Sequence, residues 1–206
     1  MKTIFWNVDT QYDFMREDGK LPVVNAKTIE ANLAKLTFIA MDEGVQVVNT
    51  GDWHTKDSKE FSDKPNFINT FPPHCVQNTK GAEFVLATKP ENPYVIDWQQ
   101  ARIDKKKIES TRNIVIYKDA FDVFAGNSYT DRILEIIKPD RAIVYGVATN
   151  VCVDFAVRGL LERKIEVYVP TNAIKELPNL SLQEVLDRWV AKGAKLINTC
   201  ESRWYI

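Results

Sequence analysis

The stretch from Arg141 to Thr171, RAIVYGVATNVCVDFAVRGLLERKIEVYVPT, decides the fold. Ala142 to Tyr145 is a short run of apolar β-formers, too short for a helix, and suits a buried strand. Gly146 breaks it. Asn150 stands as the N-cap of a helix in which Val153, Ala156, Val157, Leu160 and Leu161 fall at helical spacing. Ile165 to Val169 is strand-like again, completing a strand–helix–strand unit of the kind that builds parallel sheets. Cys152 falls in the first helical turn. Unpaired backbone N–H groups and the helix dipole favour an anion there, so its thiol pKa is expected below the free value of about 8.5. The other reading of the same residue is a buried, unreactive small hydrophobe.

Outward from this unit the pattern repeats. Thr3 to Val8 (TIFWNV) reads as a first, central strand ending at Asp9. A helix runs from Asn25 or Lys27 to Asp42, with Ile29, Leu33, Leu36, Ile39 and Ala40 on one face and Gly44 as its stop. Val45 to Asn49 is a second strand leading into Thr50-Gly51-Asp52-Trp53-His54. Thr55 to Pro90 is long, polar and punctuated by Pro65, Pro72, Pro73 and Gly81, the mark of a functional loop. Tyr94 to Asp97 reads as a short strand and Trp98 to Ile108 as a basic helix. Asn113 to Tyr117 is a strand ending at Lys118. Tyr129 to Lys138 is helical and closed by Pro139. A helix at Ser181 to Lys192 and a strand at Ala194 to Asn198 follow the central unit. With no internal repeat or linker, residues 1–206 read as one α/β domain.

Composition narrows the function class. The chain has 206 residues, 45% hydrophobic and 27% charged, as an ordinary globular domain does. A net charge of −1 gives no bulk electrostatic reason to bind nucleic acid or an anionic membrane. No apolar run approaches the roughly 18 residues that span a bilayer. The N-terminal MKTIFWNVDTQYDF lacks the pattern of a secretory signal. Cysteines at 75, 152 and 200 form no CxxC pair, which predicts reduced thiols and a cytoplasmic setting. Asn179-Leu180-Ser181 matches a glycosylation sequon but carries no weight without such a signal.

Four predicted strands end alike. The side chains that follow them are Asp9, then Asp52 with His54, then Lys118, then Cys152. In a parallel sheet those carboxyl ends share one edge, and ligands bind outside that edge at a switch point. Taken singly, each is an ordinary strand-end turn residue or cap. Together, Cys152, Lys118 and Asp9 are the parts of a nucleophilic amidase. The Lys118 ammonium favours a thiolate, and Asp9 carries a proton between nucleophile, leaving amine and water. Backbone N–H groups at the turn before Cys152 supply an oxyanion site.

Asp52 and His54 lie two residues apart, so on an extended chain their side chains point the same way. With His74 in the long loop they offer one carboxylate and both imidazoles of the chain, a set that leaves open positions on a zinc-like divalent ion. Two hydrogen-bonded histidines with no metal are the plainer alternative. Cys75 is left out, because neighbours on an extended loop point apart.

These motifs resemble the isochorismatase-like cysteine hydrolases, and within them the nicotinamidases. VDTQYDF resembles D-x-Q-x-D-F, which places Asp9 at the catalytic aspartate. YGVATNVCV resembles G-V-A-T-D-x-C-V, with Cys152 as nucleophile, and Lys118 aligns with the catalytic lysine. GDWH with FPPHCVQNTKGAEF is similar to D-x-H … W-P-P-H-C-V-x-G-T-x-G-A-E-F and carries Asp52, His54 and His74 onto metal ligands. The likeness runs from residue 4 to about residue 174. It implies a three-layer αβα fold with a mostly parallel six-stranded sheet, assembled as a homo-oligomer. It also implies a non-proline cis peptide before Ala148, aiming the Ala148 and Cys152 N–H groups at an oxyanion. The metal implied is zinc first, with iron or manganese as alternatives, and Phe14 and Phe71 line the substrate pocket. Phe71 stands where the relatives have tryptophan, Asn78 where they have glycine, and Asn150 where they have aspartate. The Phe121-Asp122-Val123-Phe124 segment also departs from the Ser-Ala-Phe type.

The resulting expectation is a metal-dependent cysteine amidohydrolase that converts nicotinamide to nicotinate and ammonia. Its rivals are a relative cleaving another small amide or carbamoyl compound, a metallohydrolase in which Cys152 is structural, and a binding protein without turnover. A vinyl-ether hydrolase is disfavoured by the metal triad. Partners are expected to be small amides, not nucleic acid or membrane.

Overall fold

Every residue of β1 (Thr3–Val8) is buried, and its side chains alternate between two apolar layers. Ile4, Trp6 and Val8 enter one layer and Phe5 the other. A strand covered on both faces belongs at the centre of a sheet. The computed structural model, which describes residues 1–178 and 181–206, places it there. Asn179 and Leu180 of the sequon lie outside the described residues.

The remaining strands are β2 (Val47–Asp52), β3 (Tyr94–Ile96), β4 (Asn113–Lys118), β5 (Arg141–Val147), β6 (Glu166–Pro170), β7 (Ile174–Lys175) and β8 (Lys195–Ile197). They run in the order β3-β4-β2-β1-β5-β6-β8, with β7 also on β5, and every pairing among the described residues is parallel. The sheet thus has eight strands where six were expected. Three of them, β3, β7 and β8, are very short. β3 is a three-residue edge strand. β7 arises because β6 pairs only with Arg141–Ile143, leaving Gly146 and Val147 of β5 to pair with Ile174 and Lys175.

The helices are α1 (Tyr12–Met15), α2 (Glu30–Asp42), α3 (Lys105–Ser110), α4 (Val123–Gly126), α5 (Thr130–Ile137), α6 (Cys152–Glu162) and α7 (Leu182–Ala191). Helices α1 and α2 cover one face and α3 to α7 the other, giving the expected αβα layers. The stripe Leu33, Leu36, Ile39 and Ala40 of α2 is buried, as its spacing predicts. That helix is entered through a 3₁₀ turn at Ala26–Ile29.

Two local expectations change. The helix predicted over Trp98–Ile108 is confined to α3, capped by Asp104, whose carboxylate accepts the N–H groups of Lys106 and Lys107. The Trp98 indole N–H is committed elsewhere, to the Trp53 carbonyl at 2.9 Å. β5 continues through Gly146 to Val147 instead of ending before it. Among the described residues no helix is long and apolar enough to cross a membrane.

Candidate active site

The order β4-β2-β1-β5 puts four strand ends side by side, and register sets their depth. Asp52 lies opposite Lys118, and Val8 lies opposite both Thr50 and Gly146. Asp9, one residue past β1, turns with φ 48°. Thr50 donates its hydroxyl to Asp9 Oδ1 at 2.6 Å. Gly146 has φ 123°, and a Cβ there would sit 2.1 Å from the Val8 carbonyl oxygen, so only glycine lets β5 lie this close to β1. The Val147–Ala148 peptide that follows is cis, as the resemblance implied. The Ala148 carbonyl accepts the N–H groups of Val151 and Val153 at 3.0 and 3.1 Å, a tight turn that sets Cys152 at the start of α6.

Asn150 does not cap that helix. Its amide donates to the Leu177 carbonyl at 2.8 Å and accepts the Leu177 N–H at 3.0 Å.

Lys118 is buried at the centre of this edge. Its Nζ lies 2.9 Å from Asp9 Oδ2, pairs with Asp52 Oδ1, and reaches Cys152 Sγ at 3.9 Å. Burial alone would strip its proton, but the Asp52 and Asp9 carboxylates outweigh that and hold the ammonium well above its ordinary range. Burial likewise pushes Asp52 up, yet the Lys118 ammonium, with the His54 and His74 rings beside it, holds it well below the usual carboxylate range. For Asp9 burial prevails over Lys118, and its pKa is raised. The same holds for Cys152. Burial pushes the thiol up, Lys118 opposes this, and the thiol stays well above its ordinary range. The lowered thiol pKa expected from the helix N-terminus is therefore corrected: the direction is upward, because burial prevails over the Lys118 charge. Lys118 Nζ thus bridges Asp9 and the thiol.

Asp52, His54 and His74 form the second half of the site. One ligand atom from each lies within 4.8 Å of the others, and all three residues are buried. Asp52 Oδ2 is 3.6 Å from His54 Nε2 and 3.5 Å from His74 Nε2. His74 Nδ1 is 2.8 Å from the Pro72 carbonyl, which can only accept, so Nε2 keeps its lone pair. His54 Nδ1 is turned the same way toward Asp119 Oδ1 at 2.6 Å. Buried His54 Nε2 and Glu60 Oε2 have no hydrogen-bond partner and lie 3.7 Å apart. Two free imidazole nitrogens, a carboxylate and an orphaned carboxylate oxygen converge, and this donor set fits a divalent cation. Cys75 is absent from the cluster, its thiol directed at the Gly81 carbonyl at 3.7 Å.

Both halves line one cavity of about 30 Å³, walled by Phe14, Phe71, Phe121, Val151 and Leu177 above Asp52, His74, Ala148 and Cys152. Phe14 and Phe71, expected at the substrate pocket, are among its walls. A roomier cavity of about 370 Å³ beside Met41 and Asn49 contains none of these groups.

A family model described as an isochorismatase domain matches residues 3–201. The chain belongs to the isochorismatase family. It is similar to the nicotinamidase/pyrazinamidase of Mycobacterium tuberculosis, 27% identical over 186 residues that cover 86% of this chain and 91% of that one. The crystal structure of a Pyrococcus horikoshii pyrazinamidase in complex with zinc superposes with a TM-score of 0.77 at 26% identity, covering 96% of this chain and 99% of that one. The N-carbamoylsarcosine amidase of Thermoplasma acidophilum shares the fold, with a TM-score of 0.74 at 20% identity over 97% of both chains.

In this isochorismatase-family chain, sequence reading left several residues around the site without roles and left open whether Glu60, Ser58 or water completes the cation shell. Gln11 and Asp13 stood in the opening motif as letters only. Gln11 brackets the Asp52 backbone, and Asp13 accepts the Cys75 N–H at 2.8 Å. Asp119 and Ser58 orient His54, while Val151 and Leu177 wall the pocket. The spacing of the opening motif was a signal for Gln11 and Asp13; nothing local marked Leu177.

Proposed function

We propose that this protein is a metal-dependent cysteine amidohydrolase whose substrate is nicotinamide. The observation that carries the reading is the shared cavity: the nucleophile and the cation-binding set face the same small apolar space. The similarity to nicotinamidase/pyrazinamidases supports the substrate.

Asp52, His54 and His74 would hold the cation, with Glu60 beside them. Bound there, a divalent ion supplies a Lewis acid that anchors the ring nitrogen and polarises water. Zinc is the first choice for this donor set, ahead of iron or manganese.

The chemistry rests on the chain's own groups. The Cys152 thiol is protonated at rest, so attack requires a base at its side. Asp9 takes the thiol proton as Sγ bonds to the carboxamide carbon and the carbonyl π electrons move onto oxygen. The backbone N–H groups of Ala148 and Cys152 stabilise that oxyanion. Collapse breaks the C–N bond, Asp9 returns the proton to nitrogen, and ammonia leaves a Cys152 thioester. Water then attacks the acyl carbon while Asp9 accepts its proton. The C–S bond breaks, the thiol is restored and nicotinate departs. Lys118 keeps Asp9 and Asp52 from sharing a proton with each other throughout. Phe14 and Phe71 pack on the ring.

The test is ammonia release from nicotinamide by purified protein, beside Cys152→Ala and a chelated sample. Rapid release abolished by both treatments is expected. Activity retained in Cys152→Ala points to a metallohydrolase. No release with metal present and Cys152 still alkylated sends the substrate search to other small amides.

A further inference from the structure

We infer that Leu177, pinned by Asn150, is a specificity-determining residue that sets how much bulk the substrate can carry on the nucleophile side of the pocket. The inference rests on the amidase reading of the same cavity and deepens it by assigning the substrate's size limit.

The pocket has two walls with different anchors. Phe71 and Phe121 form one, their rings edge to face at 5.6 Å. Both are tied to Glu60: the Phe71 N–H donates to its carbonyl at 2.7 Å and the Phe121 N–H to its Oε1 at 3.1 Å. That wall therefore belongs to the cation-binding half. Leu177 and Val151 form the other, anchored to the turn that presents Cys152. Gly146 and Val147 pair with Ile174 and Lys175, the Thr149 N–H donates to the Lys175 carbonyl at 2.9 Å, and Asn150 clamps both backbone groups of Leu177. Segment 174–177 is thus fastened to the nucleophile turn at Ile174, Lys175 and Leu177, and the backbone that carries the half-buried Leu177 side chain cannot retreat without breaking the Asn150 clamp.

The cavity left between the walls is about 30 Å³, far below the roughly 300–1,000 Å³ of ordinary ligand sites. A fixed aliphatic wall at this scale discriminates single methyl groups by roughly 10- to 200-fold. On the amidase reading, the substrate that this wall admits carries an unsubstituted edge toward Leu177. Asn150 suits this geometry because its amide donates from nitrogen to the Leu177 carbonyl while its oxygen accepts the Leu177 N–H. In Asn150→Asp a carboxylate oxygen would face the Leu177 carbonyl and release the wall.

The test compares kcat/KM for nicotinamide with that for nicotinamides methylated at each free ring carbon. Wild type, Leu177→Ala, the volume-conserving Leu177→Met and Asn150→Asp are measured, each checked for folding by its thermal melt. Leu177→Ala should raise the methylated-to-plain ratio at least tenfold for at least one ring position, Asn150→Asp should raise it for the same position, and Leu177→Met should not. Equal changes for all substrates, or no change, overturn the proposal. A second readout needs no substrate: the rate of Cys152 alkylation by iodoacetamide against its N-phenyl analogue. Leu177→Ala should favour the bulky reagent at least tenfold over wild type. If nicotinamide is inert yet this selectivity shifts, the nicotinamidase reading fails and the wall stands. If the selectivity is unmoved while nicotinamide turns over, the reverse holds.

Discussion

The side chain of Gln11 forms a two-point pair with the backbone of Asp52, accepting its N–H at 2.7 Å and donating to its carbonyl at 2.7 Å. The same amide nitrogen donates to the Ala82 carbonyl at 2.9 Å. One residue of the loop after β1 thereby fixes Asp52, a candidate cation ligand at the end of β2, and ties both to the long loop that carries His74.

Gln11→Ala should weaken cation binding by about 10- to 100-fold, as loss of outer-shell support does at other metal sites. It should also cost about 1–3 kcal/mol of stability for the buried backbone groups left unpaired. Cation affinity by competition with a coloured chelator, and urea unfolding, check the two parts. Unchanged affinity would remove Gln11 from the site.

Lys118→Met removes the one positive charge between two buried carboxylates, Asp9 and Asp52. The loss expected is about 3–5 kcal/mol, the cost of stranding a buried charge. Because Lys118 opposes the upward push of burial on Cys152, its removal raises the thiol pKa further and slows alkylation at any fixed pH. Denaturation midpoints and iodoacetamide kinetics read these separately. Faster alkylation would contradict the geometry.

Cation uptake should release protons. In the metal-free protein burial favours neutral His54, but Asp52, Asp119 and Glu60 overcome this and hold its pKa up to about 9. Burial, then the Asp52 charge, push Glu60 up to about 7. A group with a raised pKa keeps its proton below that value, so a cation must displace it. Affinity should therefore climb with pH toward about 9 and fall more steeply below about 7. Calorimetry in buffers of different ionisation enthalpy counts the protons, and a pH-independent affinity would sink the assignment.

Gly146→Ala should destabilise by more than about 4 kcal/mol, since both its φ of 123° and the 2.1 Å approach to the Val8 carbonyl oppose a methyl group. Urea unfolding measures this directly. A loss under about 1 kcal/mol would mean the β1–β5 contact yields easily.

Much of this was legible in the chain. Strand periodicity marked β1, β2, β4 and β5, and parallel packing puts their ends on one edge, so Asp9, Asp52, Lys118 and Cys152 were expected together. His54 followed from its two-residue spacing to Asp52. The short strands were harder to read. β7 exists only because β6 leaves β5 halfway along, an event of pairing and not of composition.

The sequence by itself determined the layers, the sheet edge and the reactive side chains, because alternation and helical spacing are local properties of a chain. Tertiary structure alone decided the rest. Glu60, which the sequence left open with Ser58 or water as completing the cation shell, is set beside His54 with its carboxylate on the Phe121 N–H, and Leu177 reaches the pocket through Asn150, 27 positions away. Asn150, placed by its position to cap a helix, clamps a distant backbone instead. The resting state of Cys152 was also a tertiary matter: a helix N-terminus lowers a thiol pKa and burial raises it, and only the packed structure sets the depth of burial.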